Sequence, residues 1–201
     1  MNRINTVAEA LRIRALTVGN ALHGTFWSNE SSQRSVLAGL NADFKLIDTD
    51  IGLWLANNNK RAVVIDNGKI VFMLGMNQYL GLVLHDTNSR PIRSRAVLVE
   101  DEVSKRPGYN RPNLMEAVYT AVIKETKNAL LSSNSMSDSA LAVWRKLCGK
   151  TNYMLVDDDN MPYTWSSSIL TLKVLDTNNI DDIIVGPDDF SKTSQRILLN
   201  P

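Results

Sequence analysis

The residues best suited to chemistry lie between Val99 and Arg111, in the run VEDEVSKRPGYNR. Three adjacent acids, Glu100, Asp101 and Glu102, precede Lys105, Arg106, Gly108 and Arg111. Carboxylates can take a proton from a nucleophile, whereas a basic, glycine-containing turn between a strand and a helix suits a phosphate group. Main-chain N–H groups and the positive end of the helix dipole then point the same way. The plainer alternative is a solvated surface turn whose arginines neutralise the acids beside them.

The flanking elements must position this run. Ala96, Val97, Leu98 and Val99 form a short apolar stretch rich in β-branched residues and predict a strand. Period-two alternation puts Glu100 and Glu102 on the face opposite Asp101. Beyond the turn, Arg111-Pro112-Asn113 predicts a helix start with Pro112 at the first helical position. Leu114, Val118, Ala121 and Val122 then recur on one face, and the helix ends near Lys127. Upstream, RAVVIDNGKIVFML (Arg61 to Leu74) reads as a hairpin about Asn67-Gly68, the pair that supplies the positive φ angles a tight turn needs. Tyr79 to His85 either continues its second strand past a bulge at Gly75 or forms a strand of its own.

Downstream, Ala129 to Leu131 predicts a strand. Ser137 or Asp138 caps a helix with the stripe Ala140, Leu141, Trp144, Leu147 and Cys148, closed by Gly149 in the left-handed position. Tyr153 to Val156 predicts another strand, Asp157 to Asn160 an acidic turn, and Trp165 to Leu175 a stretch that includes a strand, ILTLKVL. Ile183 to Val185 and Ile197 to Leu199 read as edge strands or a docked extension. Before the hairpin, helical periodicity marks Val7, Leu11, Ala15 and Val18 behind Thr6, then Gln33 to Leu40, with His23, Phe26 and Trp27 in the break. Ile51 to Leu55 fits helix or strand.

A chain of 201 residues with 44% hydrophobic residues can bury one sizeable core. A net charge of +1 gives no global footprint for nucleic acid or an anionic membrane. Arg90, Arg93, Arg95, Lys105, Arg106 and Arg111 nevertheless cluster locally. The single cysteine, Cys148, excludes an intrachain disulfide and a multi-cysteine zinc site. The Asp157 run lacks the spacing and glycine of a calcium loop, so no metal is expected. Neither a signal-peptide core nor a membrane-length apolar run is present, which predicts a cytoplasmic protein with no membrane partner.

The element order (helices, hairpin, strand, basic glycine turn, helix, strand, helix, strand) and two local motifs resemble the GNAT (Gcn5-related N-acetyltransferase) superfamily. In the first motif, Lys105-Arg106-Pro107-Gly108-Tyr109-Asn110 is similar to the family's pyrophosphate loop. Gly108 stands in the first glycine position, and Asn110, which tolerates positive φ, stands in the second. Pro107 and Pro112 remove amide donors that Arg106 and Arg111 side chains would replace. In the second, Ser137, Ala140, Trp144, Lys146, Cys148 and Gly149 follow the register of a family helix, with Trp144 where that family usually carries an acidic tyrosine.

The resemblance covers about Arg61 to Val156. It implies an α+β (α/β/α) fold, a central mixed, mostly antiparallel sheet flanked by helices. A single domain is expected: N-terminal helices in 1–60, a core with the acyl-CoA site in 61–156, and C-terminal strands in 157–201. The implied activity is transfer of an acyl group, acetyl above all, from acetyl-CoA to an amine on a small molecule or protein. The implied cofactor residues are Val99, Lys105, Arg106, Gly108, Tyr109, Asn110, Arg111 and Lys146. Glu100 or Glu102 is the implied base, with His85 a weaker candidate, and Tyr109 the implied substitute acid. A main-chain N–H near Val99 or Glu100 would hold the oxyanion. Two further readings keep the fold: an inactive structural or partner-binding protein, and an enzyme modifying nucleic acid, which the net charge disfavours. A homodimer stays open.

Overall fold

The computed structural model describes residues 25–31, 33–34, 44–56, 59–86, 91–94, 96–133, 136–157, 168–182 and 195–200. The helix expected from Thr6 to Val18, His23, residues 35–40, Arg90, Arg95, most of the Asp157–Asn160 turn and Ile183–Val185 lie outside them. The chain forms two compact units, Met1–Gly75 with Glu102–Arg111, and Met76–Asp101 with Pro112–Pro201. Strands in both pair mostly antiparallel and the fold class is α+β. No helix among the described residues is long and apolar enough to cross a membrane.

In the first unit the strand order is β1 (Phe44–Leu46), β2 (Ile51–Ala56), β3 (Asn59–Asp66), β4 (from Lys69) and the end of β7 (to Lys105). The predicted hairpin is present: Asn67 (φ 50°) and Gly68 (φ 71°) form its two-residue turn between β3 and β4. Both central residues take positive φ, the geometry that follows the twist of paired strands. Residues 51–55 resolve as strand. β2 pairs antiparallel with β3 from Ile51↔Val64 to Ala56↔Asn59. Gly52 is required there, because a Cβ would fall inside the ring of Phe44. From Ile70 to Met76, β4 is buried at every position, the pattern of a strand covered on both faces. Helix α1 (Thr25–Ser28) delivers Trp27 to a cluster with Trp54, Val63, Ile70 and Met73.

In the second unit the order is β7 (from Val97), β8 (Ala129–Leu131), β11 (Gln195–Leu199), β9 (Tyr153–Asp157), β10 (Ile169–Val174), β5 (Gly81–His85) and β6 (Pro91–Ser94). Two pairs are parallel: β7 with β8, and β10 with β5. Strand β4 runs through Gly75 to Tyr79 and β5 is separate, so both alternatives for Tyr79 to His85 hold in part. The Ile197–Leu199 segment is not an edge strand. It lies between β8 and β9, antiparallel to each, and Ile197 to Leu199 are fully buried. An unbroken apolar run belongs where both faces are covered.

Helix α2 (Leu114–Thr126) buries Leu114, Val118, Tyr119, Val122 and Ile123, and α3 (Asp138–Cys148) buries Leu141, Trp144 and Leu147. Each fully buried leucine or valine contributes roughly 1.5–3 kcal/mol. Three expectations about the helix ends need correction. Helix α2 starts at Leu114 behind a left-handed Asn113 (φ 57°), so Pro112 sits in the preceding turn and not at the first helical position. Asn110 does not take positive φ; Gly108 (φ 75°) and Asn113 do. Gly149 ends α3 in right-handed geometry (φ −69°), its N–H reaching Arg145 and Leu147 carbonyls, so a left-handed residue is not needed. Ser137 caps α3 as expected, its Oγ accepting from the Ala140 N–H at 3.3 Å.

Candidate functional site

In the first unit, β7 ends at Lys105 and the basic turn follows. The Arg106 N–H donates to the Val71 carbonyl (2.9 Å) and the Tyr109 N–H to the Arg106 carbonyl (3.1 Å), so the turn is pinned to β4 and to itself. Gly108 is exposed at φ 75°, and a Cβ there would meet nothing within 4 Å. The bend is open rather than packed shut. Lys105 and Asn110 are exposed, while Arg111 forms an ion pair with Asp50.

The Arg106 guanidinium donates to Gln33 Oε1 (3.3 Å), and Gln33 in turn donates to the Trp27 carbonyl (2.9 Å). The Trp27 indole donates to Ser104 Oγ (3.0 Å). Tyr109 donates to the Asp66 carboxylate, and its hydroxyl pKa is raised, first by partial burial and then by that neighbouring charge. It is thus a poorer acid than an ordinary tyrosine. Glu102 faces Arg61 at 3.9 Å, both side chains mostly buried. Gly75 leaves room for the pair, since a Cβ there would stand 3.4 Å from the Arg61 guanidinium and 3.5 Å from the Glu102 Cβ.

In the second unit, Val99 is half-buried and is the last β7 residue paired with β8, opposite Leu131. Glu100 follows at 7% exposure. Its Oε1 accepts from the Tyr119 hydroxyl (3.0 Å) and its Oε2 from the Ser133 N–H (3.4 Å). Burial raises the Glu100 pKa. The Tyr119 hydroxyl, the Ser133 N–H, the Trp144 indole and the Arg196 charge, in that order, oppose the rise.

Arg196 is held by the Ser132 carbonyl (2.7 Å), and Ser132 Oγ accepts from the Ile197 N–H (3.0 Å), so β11 anchors this corner. Trp144 is fully buried with its ring centroid 5.3 Å from that of Tyr119, and its indole N–H is near enough to Glu100 to favour the charged carboxylate without meeting full hydrogen-bond geometry. Lys146 donates to Asn113 Oδ1 (3.4 Å) at the start of α2. Cys148 is half-buried and its pKa is pushed up to about 11 by desolvation, so it is a poor nucleophile at neutral pH.

Of the sequence-derived site residues, Arg106 and Tyr109 each gain a side-chain partner in the turn, Arg111 an ion pair, and Glu102 an arginine. Lys146 is set at the α2 start, and Glu100 is enclosed in a polar cluster. The cluster partners Tyr119, Ser133 and Arg196 were missed. A signal existed: a tyrosine on the buried face of a helix needs a partner for its hydroxyl, and the nearest acid before that helix was Glu100 or Glu102.

No model of a known protein family matches the chain, and no curated protein matches it.

Proposed function

We propose that the chain is an acyl-CoA-dependent N-acyltransferase of GNAT-like topology, moving an acetyl group directly to an amine. One observation carries this reading. Strands β7 and β8 are parallel, joined through α2, and their register stops after three pairs, Val97↔Ala129 to Val99↔Leu131, while β7 itself continues within this unit to Asp101. A parallel pair that ends early leaves an edge where an extended pantetheine arm can add as a short strand. The amine, as free base, attacks the thioester carbonyl, and a main-chain N–H near Val99 or Glu100 stabilises the oxyanion. Collapse expels the CoA thiolate, which takes its proton from solvent, because an indole at position 144 has no acidic proton to give. Glu100 or Glu102 would take the proton released by the amine. Positioning supplies much of the rate.

The buried Trp144 favours a second reading, a non-catalytic derivative of the same fold that binds a partner protein. Acetyl-CoA separates the two. At 100-fold excess over its Kd it should stabilise the native protein by about 2.7 kcal/mol. Gly108→Val should remove that gain. Because no atom crowds Gly108, the variant costs only the strain of a left-handed β-branched residue, about 1–3 kcal/mol, and stays folded. A thermal midpoint unmoved by acetyl-CoA would select the partner-binding reading. A midpoint raised equally in both proteins would take the loop out of the site.

A further inference from the structure

In the first unit a pocket of about 230 Å³ lies beside the hairpin turn. Helical residues Glu30, Gln33 and Arg34 form one wall, Asn67, Gly68 and Lys69 another, and Arg106 a third. Three cations face one carboxylate, and that carboxylate is already shared with Arg34 at 3.9 Å. The arrangement around Arg106 is the informative part. A purely structural arginine is ordinarily neutralised by an acid. Here the guanidinium is oriented by Gln33, a neutral acceptor that is 5% exposed and itself anchored to the Trp27 carbonyl. A glutamine fixes the geometry and, among the described residues, leaves the positive charge uncompensated. Among the described residues no acid forms an ion pair with Arg106 or Lys69. The nearby Asp66 is occupied by the Tyr109 hydroxyl and by the Asn67 side-chain amide at 3.0 Å.

We infer that this pocket binds an oxyanion, a phosphate or carboxylate group on a small ligand. Its volume falls below the several hundred Å³ of whole-cofactor sites, so it takes one charged group. Arg106 supplies charge-assisted hydrogen bonds from its remaining donors, Lys69 a mobile ammonium, and Asn67 a side-chain amide. The site shares Arg106 with the loop of the transferase reading but is not lined by Gly108, so it stands whether or not acetyl-CoA binds.

The test is titration of ¹⁵N-labelled protein with inorganic phosphate and, separately, acetate. Saturable shifts are expected at the Asn67, Gly68 and Lys69 amides and at Arg106 Nε, and the anion that saturates first identifies the group. Lys69→Gln, at the exposed first residue of β4, should weaken binding about tenfold, Lys69→Arg should restore it, and Arg106→Gln should abolish it. Affinity should survive in Gly108→Val. Absence of saturation with both anions, affinity undiminished in Lys69→Gln, or loss of binding in Gly108→Val would overturn the assignment.

Discussion

Glu100 and Glu102 share a strand, a residue type and, by alternation, a predicted face, yet their surroundings differ. Glu100 is met by neutral donors, a tyrosine hydroxyl and a main-chain N–H, with the Arg196 charge a smaller influence. Glu102 is met by the Arg61 guanidinium. Neutral donors satisfy a carboxylate without supplying the full counter-charge that burial demands, so desolvation wins at Glu100 and its pKa rises. The difference separates a carboxylate that holds the β7–α2 corner together from one that, on the transferase reading, would exchange protons with a substrate.

The largest effect expected from that contrast is on folding. Glu100→Ala removes the acceptor of the Tyr119 hydroxyl and of the Ser133 N–H and the charge that acts on Arg196, and should cost about 3–4 kcal/mol in urea unfolding. Glu100→Gln, which keeps the shape and part of the bonding, should cost less than half of that. If both substitutions prove neutral, the corner is not held by this carboxylate. Next in size is Glu102→Gln. On the transferase reading it should lower kcat by about a hundredfold, measured on protein shown by circular dichroism to stay folded, because the change also removes a counter-charge from the mostly buried Arg61. A variant with unchanged kcat would return Glu102 to the role of a simple counter-ion for Arg61.

Much of the local structure was legible because it depends on short-range chemistry. Asn67-Gly68 dictates its turn, Ser137 its cap, and the Leu114–Val122 spacing its buried face. What escaped depends on contacts far apart in sequence. Nothing in Gln195 to Leu199 says that it will insert between strands ending at Leu131 and beginning at Tyr153. Asn113, rather than Asn110, takes the left-handed conformation because that residue must turn the chain into α2, a demand set by where the helix docks. The candidate site was legible as a set of residue types. Its pairings were not, since Gln33 lies 73 residues from Arg106 and Glu100 lies 33 from Ser133.

The smallest and most discriminating change is Tyr119→Phe. It removes one hydrogen bond to a charged acceptor, so stability at neutral pH should drop by about 1.5 kcal/mol. Its pH dependence carries the argument further. A carboxylate whose folded pKa is raised above the ordinary glutamate value of 4.5 binds its proton more tightly in the native state than in the unfolded one. Over the interval between those two values the native state holds more protons, so stability falls as pH rises and is greatest below the unfolded pKa. The Tyr119 hydroxyl limits the rise, because it donates to the ionised form. Without it the folded pKa climbs further and the loss of stability extends to higher pH. Urea midpoints measured from pH 4 to pH 8 should therefore show a longer decline for Tyr119→Phe than for the parent protein. Glu100→Gln, which has no proton to exchange, should lack that decline. Parallel curves for the parent and Tyr119→Phe would mean that the hydroxyl does not govern the Glu100 charge, and the contrast with Glu102 would then rest on burial alone.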